Sequence, residues 1–449
     1  MRYPAYPEYK ESGVQWLGRV PGHWGVKSAR FDYAIQLGKM LQPEASSLSD
    51  QETPYLKAQH VQWESVRTTD SPTMWASQSD RNKYGVCDGD LLVCEGGDVG
   101  RAGIVRNPPD ATIIQNALHR VRSRNADLRY LMFVLEHAAS QNWFEILCNR
   151  STIAHFTGEK FGALQVPAPP LPEQTAIADF LDRETGRIDT LVAKKRRLVA
   201  LLKEKRTALI SRIVTRGLPQ DAAREFGLEP HTRFKDSGIE WLGQVPEGWD
   251  LKKVKYVAKV IIGITYSPDD VVDESEGILV LRASNVQNGK LSFNDNVYVE
   301  KKIKDSDRVK QGDILICSRN GSAHLVGKCA YITAEHSGYT FGAFMSVVRS
   351  DYGLYLYQFF NSDIFKAQSG LFNTSTINQL TSSTLENMVV AFPPKKEQTA
   401  IATYLDRETA KIDKLVEKVE AAIARLQEYR IALITAAVTG KIDVREAVT

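Results

Sequence analysis

At 449 residues the chain exceeds the roughly 100–200 residues of a usual domain, so two to four domains, each with its own core, are expected. A hydrophobic fraction of 43% and a charged fraction of 25% are those of a soluble globular protein and exclude a disordered or fibrous chain. The net charge of +3 is too small to draw in a polyanion by itself, so any affinity for nucleic acid has to come from local patches.

The N-terminus, MRYPAYPEYKESG, has neither a basic n-region nor an apolar h-region, and no window approaches 18 uninterrupted apolar residues. A cytoplasmic location without export or membrane spanning is therefore expected. The five cysteines, Cys87, Cys94, Cys148, Cys317 and Cys329, are odd in number and scattered, which predicts free thiols and no zinc site.

From Tyr9 to Trp24 the chain reads YKESGVQWLGRVPGHW, and it returns as FKDSGIEWLGQVPEGW from Phe234 to Trp249, an offset of 225. Gly89-Asp90 matches Gly312-Asp313 at 223, and Ser151-Thr152-Ile153 matches Ser375-Thr376-Ile377 at 224. EQTAIA at 173–178 recurs at 397–402, and LDRET at 181–185 recurs at 405–409, both at 224. A nearly constant offset predicts two copies of one architecture. The copies agree at their ends and diverge between, so residues 25–150 and 250–374 put different surface chemistry on one scaffold.

Within the divergent parts, Gly89–Cys94, Ala102–Arg106, Gly277–Leu281 and Gly312–Cys317 are short apolar runs bounded by turn formers, which predicts buried strands. Leu128–Leu147 and its counterpart Leu354–Ala367 predict helix, giving mixed α+β domains. Trp16, Trp24, Trp241 and Trp249 flank turns at the start of each copy and are expected in the core.

After Pro172 and after Pro394, about 40 residues pass without proline and almost without glycine, dominated by helix formers. In the second stretch Ile412, Leu415, Val419, Ala422, Leu426, Tyr429, Leu433 and Ala436 alternate spacings of three and four, the seam of a coiled coil. The matching seam in the first, Ile188, Leu191, Lys195, Leu198, Leu202, Lys205, Leu209 and Arg212, is interrupted by three cations. A seam this narrow needs a partner, so the two helices are expected to pair antiparallel with a globular domain at each end. The expected segments are 1–167, 168–217, 218–392 and 393–449. Residues 187–216 carry 10 Lys and Arg against 2 acids, while 411–440 carry 5 against 4, which makes the first helix a solvated, phosphate-facing or partner-facing basic stripe.

The paired WLG…VP…W segments, the GD-plus-apolar strands, the STI turn and the proline-flanked EQTAIA…LDRET…ID helices closely resemble the specificity subunit of type I restriction-modification enzymes, over essentially the full length. The resemblance implies an α+β fold: two mixed α/β target recognition domains joined by two long antiparallel coiled-coil helices, as a pseudo-twofold internal repeat. It implies a non-catalytic subunit that reads a bipartite, asymmetric target in double-stranded DNA, its helices setting the spacer. Two methyltransferase subunits and two translocating nuclease subunits are the implied partners, and S-adenosylmethionine, ATP and Mg²⁺ would belong to them, with no cofactor in this chain.

Fragments that look catalytic fail on spacing. Asn107-Pro108-Pro109-Asp110 resembles a base-methyltransferase motif but has Asp110 where an aromatic should stack. Gly321–Cys329 has five residues between its glycines and Cys329 in place of a Mg²⁺-binding hydroxyl. Asp90 and Glu95 lack the following Lys of a nuclease.

The remaining candidates are polar groups suited to DNA, since Arg and Lys read guanine, Asn and Gln read adenine, and hydroxyls hold phosphates. In the first copy these are Lys57, Gln59, His60, Arg101, Asn116, His119, Arg120, Arg150 and Ser151. In the second they are Arg282, Ser284, Asn285, Arg319, Asn320, Ser322, His324, Asn373 and Thr374. Lys57 aligns with Arg282 and His60 with Asn285, an arrangement suited to readers of different bases. The competing reading is a coiled-coil adaptor whose two domains bind proteins.

Overall fold

Gln165–Ala168 and Val389–Phe392 are strands closed by prolines, and each is followed at once by a long helix, with Pro172 tolerated in the first turn of the earlier one. The computed structural model describes residues 3–148, 155–322, 325–371 and 379–446. Its principal helices are α1 (Leu128–Ser140), α2 (Leu171–Arg216), α3 (Gly353–Phe360) and α4 (Lys395–Val438). Chain contacts divide the protein into two units. One holds the residues up to Arg196 with those from Ala421 on, and the other runs from Arg197 to Glu420. The units therefore cut across the four expected segments, because each takes half of α2 and half of α4.

In the first unit, strands β1 (Tyr33–Leu37), β2 (Glu64–Ser65), β3 (Leu91–Cys94), β4 (Ala102–Ile104) and β5 (Leu118–Ser123) form a sheet in the order β1-β5-β3-β4-β2. In the second, β6 (Lys259–Ile262), β7 (Ile314–Cys317), β8 (Cys329–Tyr331) and β9 (Met345–Arg349) repeat that order as β6-β9-β7-β8. The Gly-Asp pairs serve this sheet. Gly89 and Gly312 turn at φ +84° and +94°, a region open to glycine. Asp90 then accepts from Cys87 N at 2.8 Å and pairs with Arg122 at 2.6 Å, and Asp313 accepts from Lys310 N at 2.7 Å and pairs with Arg349 at 2.7 Å. The supposed nuclease aspartate is thus a structural partner of arginine.

One face of each sheet packs under the helices. Trp24, Tyr130, Phe133, Phe161 and Phe180 are fully buried with Leu433, Ile434 and Val438 of α4 in the first unit. Trp249, Tyr355, Phe359 and Phe365 are buried with Ile210 and Ile213 of α2 in the second. Each such side chain contributes on the order of 2–3 kcal/mol by leaving water. The equivalence extends to single bonds: Tyr130 Oη donates to Val438 O at 3.4 Å and Tyr355 Oη to Val214 O at 3.3 Å.

The helix seam differs from the expected one by its first step. Leu191, Leu198 and Leu415 are 41%, 42% and 45% exposed, and Leu209 is half-buried, whereas Val192, Val199, Ile210, Ile213 and Val416 are buried. The seam therefore runs Ile188, Val192, Lys195, Val199, Leu202, Arg206, Ile210, Ile213, beginning with a step of four instead of three. In α4 it runs through Ile412, Val416, Val419, Ile423, Leu426, Arg430, Leu433 and Ala437, the same phase. The α2 seam alternates four and three as far as Arg206, where a second step of four leads to Ile210; it turns Lys205 and Arg212 out to water and brings β-branched side chains in. Each helix admits one arginine to the seam, Arg206 paired with Asp413 at 2.9 Å and Arg430 with Asp189 at 3.2 Å. Within each unit the N-terminal half of one helix lies against the C-terminal half of the other, the expected antiparallel sense.

Candidate nucleic-acid interface

Beyond the edge of the main sheet in each unit, a short 3₁₀ turn leads into a hairpin, and here the two copies solve one problem with different side chains. Lys57 precedes the turn Ala58–His60, and His60 Nδ1 accepts the Lys57 backbone N–H at 3.0 Å. Arg282 precedes Ala283–Asn285, and Asn285 Oδ1 accepts the Arg282 N–H at 2.9 Å. Asn285 also donates to Ser292 O at 3.0 Å. His60 and Asn285 are both fully buried, so their alignment marks a shared turn cap and not a pair of base readers.

His119 is likewise buried, its Nε2 donating to Phe156 O at 2.7 Å. Burial holds both His60 and His119 below the ordinary imidazole pKa. Arg120 donates to Gly85 O, and burial lowers its pKa as well. Arg101 pairs with Asp98 and reaches Ala58 O at 3.1 Å, and Arg282 meets Asp295 at 2.8 Å. These side chains tie loops to the sheet.

The candidates that present polar atoms outward form a smaller set. In the first unit Gln59 is exposed, and Lys57 and Asn116 are half-buried. In the second, Arg319 and Ser322 are exposed and Asn320 Oδ1 accepts from Ser322 N at 3.0 Å, whereas the Ser284 hydroxyl is buried. Arg319 lies over the ring of Phe344, 5.3 Å from its centroid, with Phe344 itself 58% exposed. A guanidinium on an open aromatic face is a platform on which a base or sugar stacks. Arg150, Ser151, His324, Asn373 and Thr374 lie outside the described residues.

Two further cation–aromatic pairs escaped the sequence reading. Arg30 lies over Phe31 at 5.4 Å and Lys255 over Tyr256 at 5.3 Å, both rings exposed and 225 residues apart. The signal was a cation followed by an aromatic at the repeat offset. On α2, Lys194, Arg196 and Arg197 are exposed, so the basic stripe faces water there.

The sequence matches a family model, the type I restriction modification DNA specificity domain, at residues 47–198 and 246–425, one stretch in each copy. The chain belongs to that family. Among its relatives, the type I restriction enzyme EcoKI specificity subunit of Escherichia coli K12 is 31% identical over 209 residues, 44% of each chain. The StySPI specificity subunit of Salmonella potsdam is 30% identical over 205 residues, again 44% of each. The matched stretch thus spans less than half the length of these two relatives. The MjaVIII specificity subunit of Methanocaldococcus jannaschii is 23% identical over 367 residues, 79% of each chain. A solved chain from a type I R-M system shares the fold at a TM-score of 0.66, with 17% identity, covering 93% of this chain and 98% of that one. Among the described residues no helix is long and apolar enough to cross a membrane.

Proposed function

We propose that this chain is the non-catalytic DNA-specificity subunit of a type I restriction-modification complex, each unit reading one half of a bipartite, asymmetric duplex target. The observation that carries this reading is one scaffold, with the same turn cap and the same Asp–Arg pair, bearing different exposed side chains in its two copies. Lys57, Gln59 and Asn116 contact DNA from the first unit, and Arg319, Asn320 and Ser322 from the second. Arg150, Ser151, His324, Asn373 and Thr374 remain candidates by their place in the sequence. Helices α2 and α4 set the spacer between half-sites and dock two methyltransferase subunits, through which two nuclease subunits join. S-adenosylmethionine, ATP and Mg²⁺ act in those partners, in the cytoplasm.

A gel shift with the methyltransferase subunit present tests it: one split duplex should be retained over scrambled DNA, and indifference to sequence would favour the protein-binding adaptor. Inserting four residues between 190 and 210 adds about one turn, roughly 6 Å, to α2. The tolerated spacer should then lengthen by one or two base pairs.

A further inference from the structure

Arg206 and Arg430 occupy one position in the two copies, 224 residues apart, as do Asp189 and Asp413. In the first unit Arg430 is enclosed by acids: Asp189 at 3.2 Å, Glu136 at 2.5 Å, and Glu64 from the hairpin turn. In the second unit the turn residue equivalent to Glu64 is Gly289, with φ +78° against +68°, and the residue equivalent to Glu136 is Asn361. Two carboxylates are therefore missing. Among the described residues Asp413 is the one acidic side chain paired with Arg206.

The Tyr357 hydroxyl, which donates to Gly289 O at 2.8 Å, stands where a side chain on Gly289 would begin, and the ground beside Arg206 is left open. A cavity of about 820 Å³ opens within this unit, bordered by Arg206, Gly289, Asn361 and Asp413, with Val326 and Phe365 among its apolar walls. That volume lies in the range of small-ligand sites, about 300–1,000 Å³. Its rim adds Lys203, Lys290 and Lys328 and, against them, Glu417 and Glu420; Lys203 is answered by Glu420 at 3.3 Å. Burial pulls the Lys328 ammonium below the ordinary lysine pKa, a cost that a bound anion relieves. A planar guanidinium matches a carboxylate in two parallel hydrogen bonds, and the first unit places carboxylates at this spot.

We propose that this cavity binds an organic carboxylate, an apolar body ending in a carboxyl group that stands where Glu64 and Glu136 stand in the first unit. The carboxylate is carried by a free small acid or by a glutamate of a bound polypeptide. Asn361, shorter than a glutamate, leaves room beside Arg206, which supplies the fork, and the apolar walls take the body of the ligand.

Isothermal titration of the full chain with 4-phenylbutyrate, its neutral amide, an acetylated Leu-Phe-Glu peptide amide and inorganic phosphate tests the site. One carboxylate should bind at one site per chain, at least about tenfold tighter than the neutral amide or phosphate. Tighter binding of phenylbutyrate assigns a free acid; tighter binding of the peptide assigns a polypeptide. Arg206→Gln should weaken binding by about tenfold or more, and so should Asn361→Glu, which keeps the Arg206–Asp413 pair and restores a built-in carboxylate. The proposal fails if neither carboxylate binds up to about 10 mM, if phosphate or the amide binds as well, or if Asn361→Glu binds like the parent.

Discussion

Beneath the turn into α4, Glu397 accepts hydrogen bonds from Trp249 Nε1 at 2.9 Å and His231 Nε2 at 2.5 Å. Under α2, Glu173 accepts from Trp24 Nε1 at 3.0 Å, Tyr6 Oη at 2.6 Å and His23 Nε2 at 2.9 Å. The repeated tryptophans and the repeated EQTAIA runs are therefore two ends of one buried hub, which fixes each helix start to the head of its copy. Glu397→Ala leaves the buried Trp249 indole and the half-buried His231 imidazole without an acceptor and should cost about 2 kcal/mol, measured as the shift in urea unfolding. A loss under about 0.5 kcal/mol would show the hub to be dispensable. The tryptophans were legible as core from their place beside turns, but the glutamate was not, because its partner lies about 150 residues away in sequence. The same limit applied to His60 and Asn285. Polar residues next to turns suggested base contacts, and only three-dimensional placement revealed them as caps.

At the level of elements, both long helices were visible as stretches free of proline and nearly free of glycine, and the seam was visible as a three–four alternation. Its phase was not, since Leu191 and Val192 are both apolar and the spacing rule admits either. Val192 and Val199 are the buried ones. Val192→Asp or Val199→Asp should lower stability by about 3 kcal/mol, whereas Leu191→Glu or Leu198→Glu should stay within about 0.5 kcal/mol. Thermal unfolding of the four variants distinguishes the registers, and the opposite ranking would restore the expected seam.

Over the whole molecule the duplication is complete in backbone and unequal in chemistry. His60, His119 and His137 are buried in the first unit, while their equivalents in the second are Asn285, Ser346 and Ser362, none of which titrates. Burial lowers the pKa of all three imidazoles, that of His137 to about 4. Each binds a proton more readily unfolded than folded, so its contribution to stability is present above the unfolded pKa of about 6.5 and lost as the pH falls towards the folded value. Each costs up to about 1.4 kcal/mol per pH unit in that window. Glu136 of the same unit, pushed up to about 7 by burial, works in the opposite sense, so the comparison is made in Glu136→Gln: hydrogen exchange at pH 7 and pH 5 should show protection falling more steeply in the first unit, and an equal loss in both would contradict it. The two-copy organisation was readable from sequence because the matching runs keep a constant offset. The division into two readers draws on the divergence between them, and it is tested most directly by sequencing modified bases in a host expressing this chain with its methyltransferase subunit. The account predicts one bipartite, asymmetric motif, of which replacing residues 250–374 by a relative's alters one half only; a continuous motif, or a change in both halves, would contradict it.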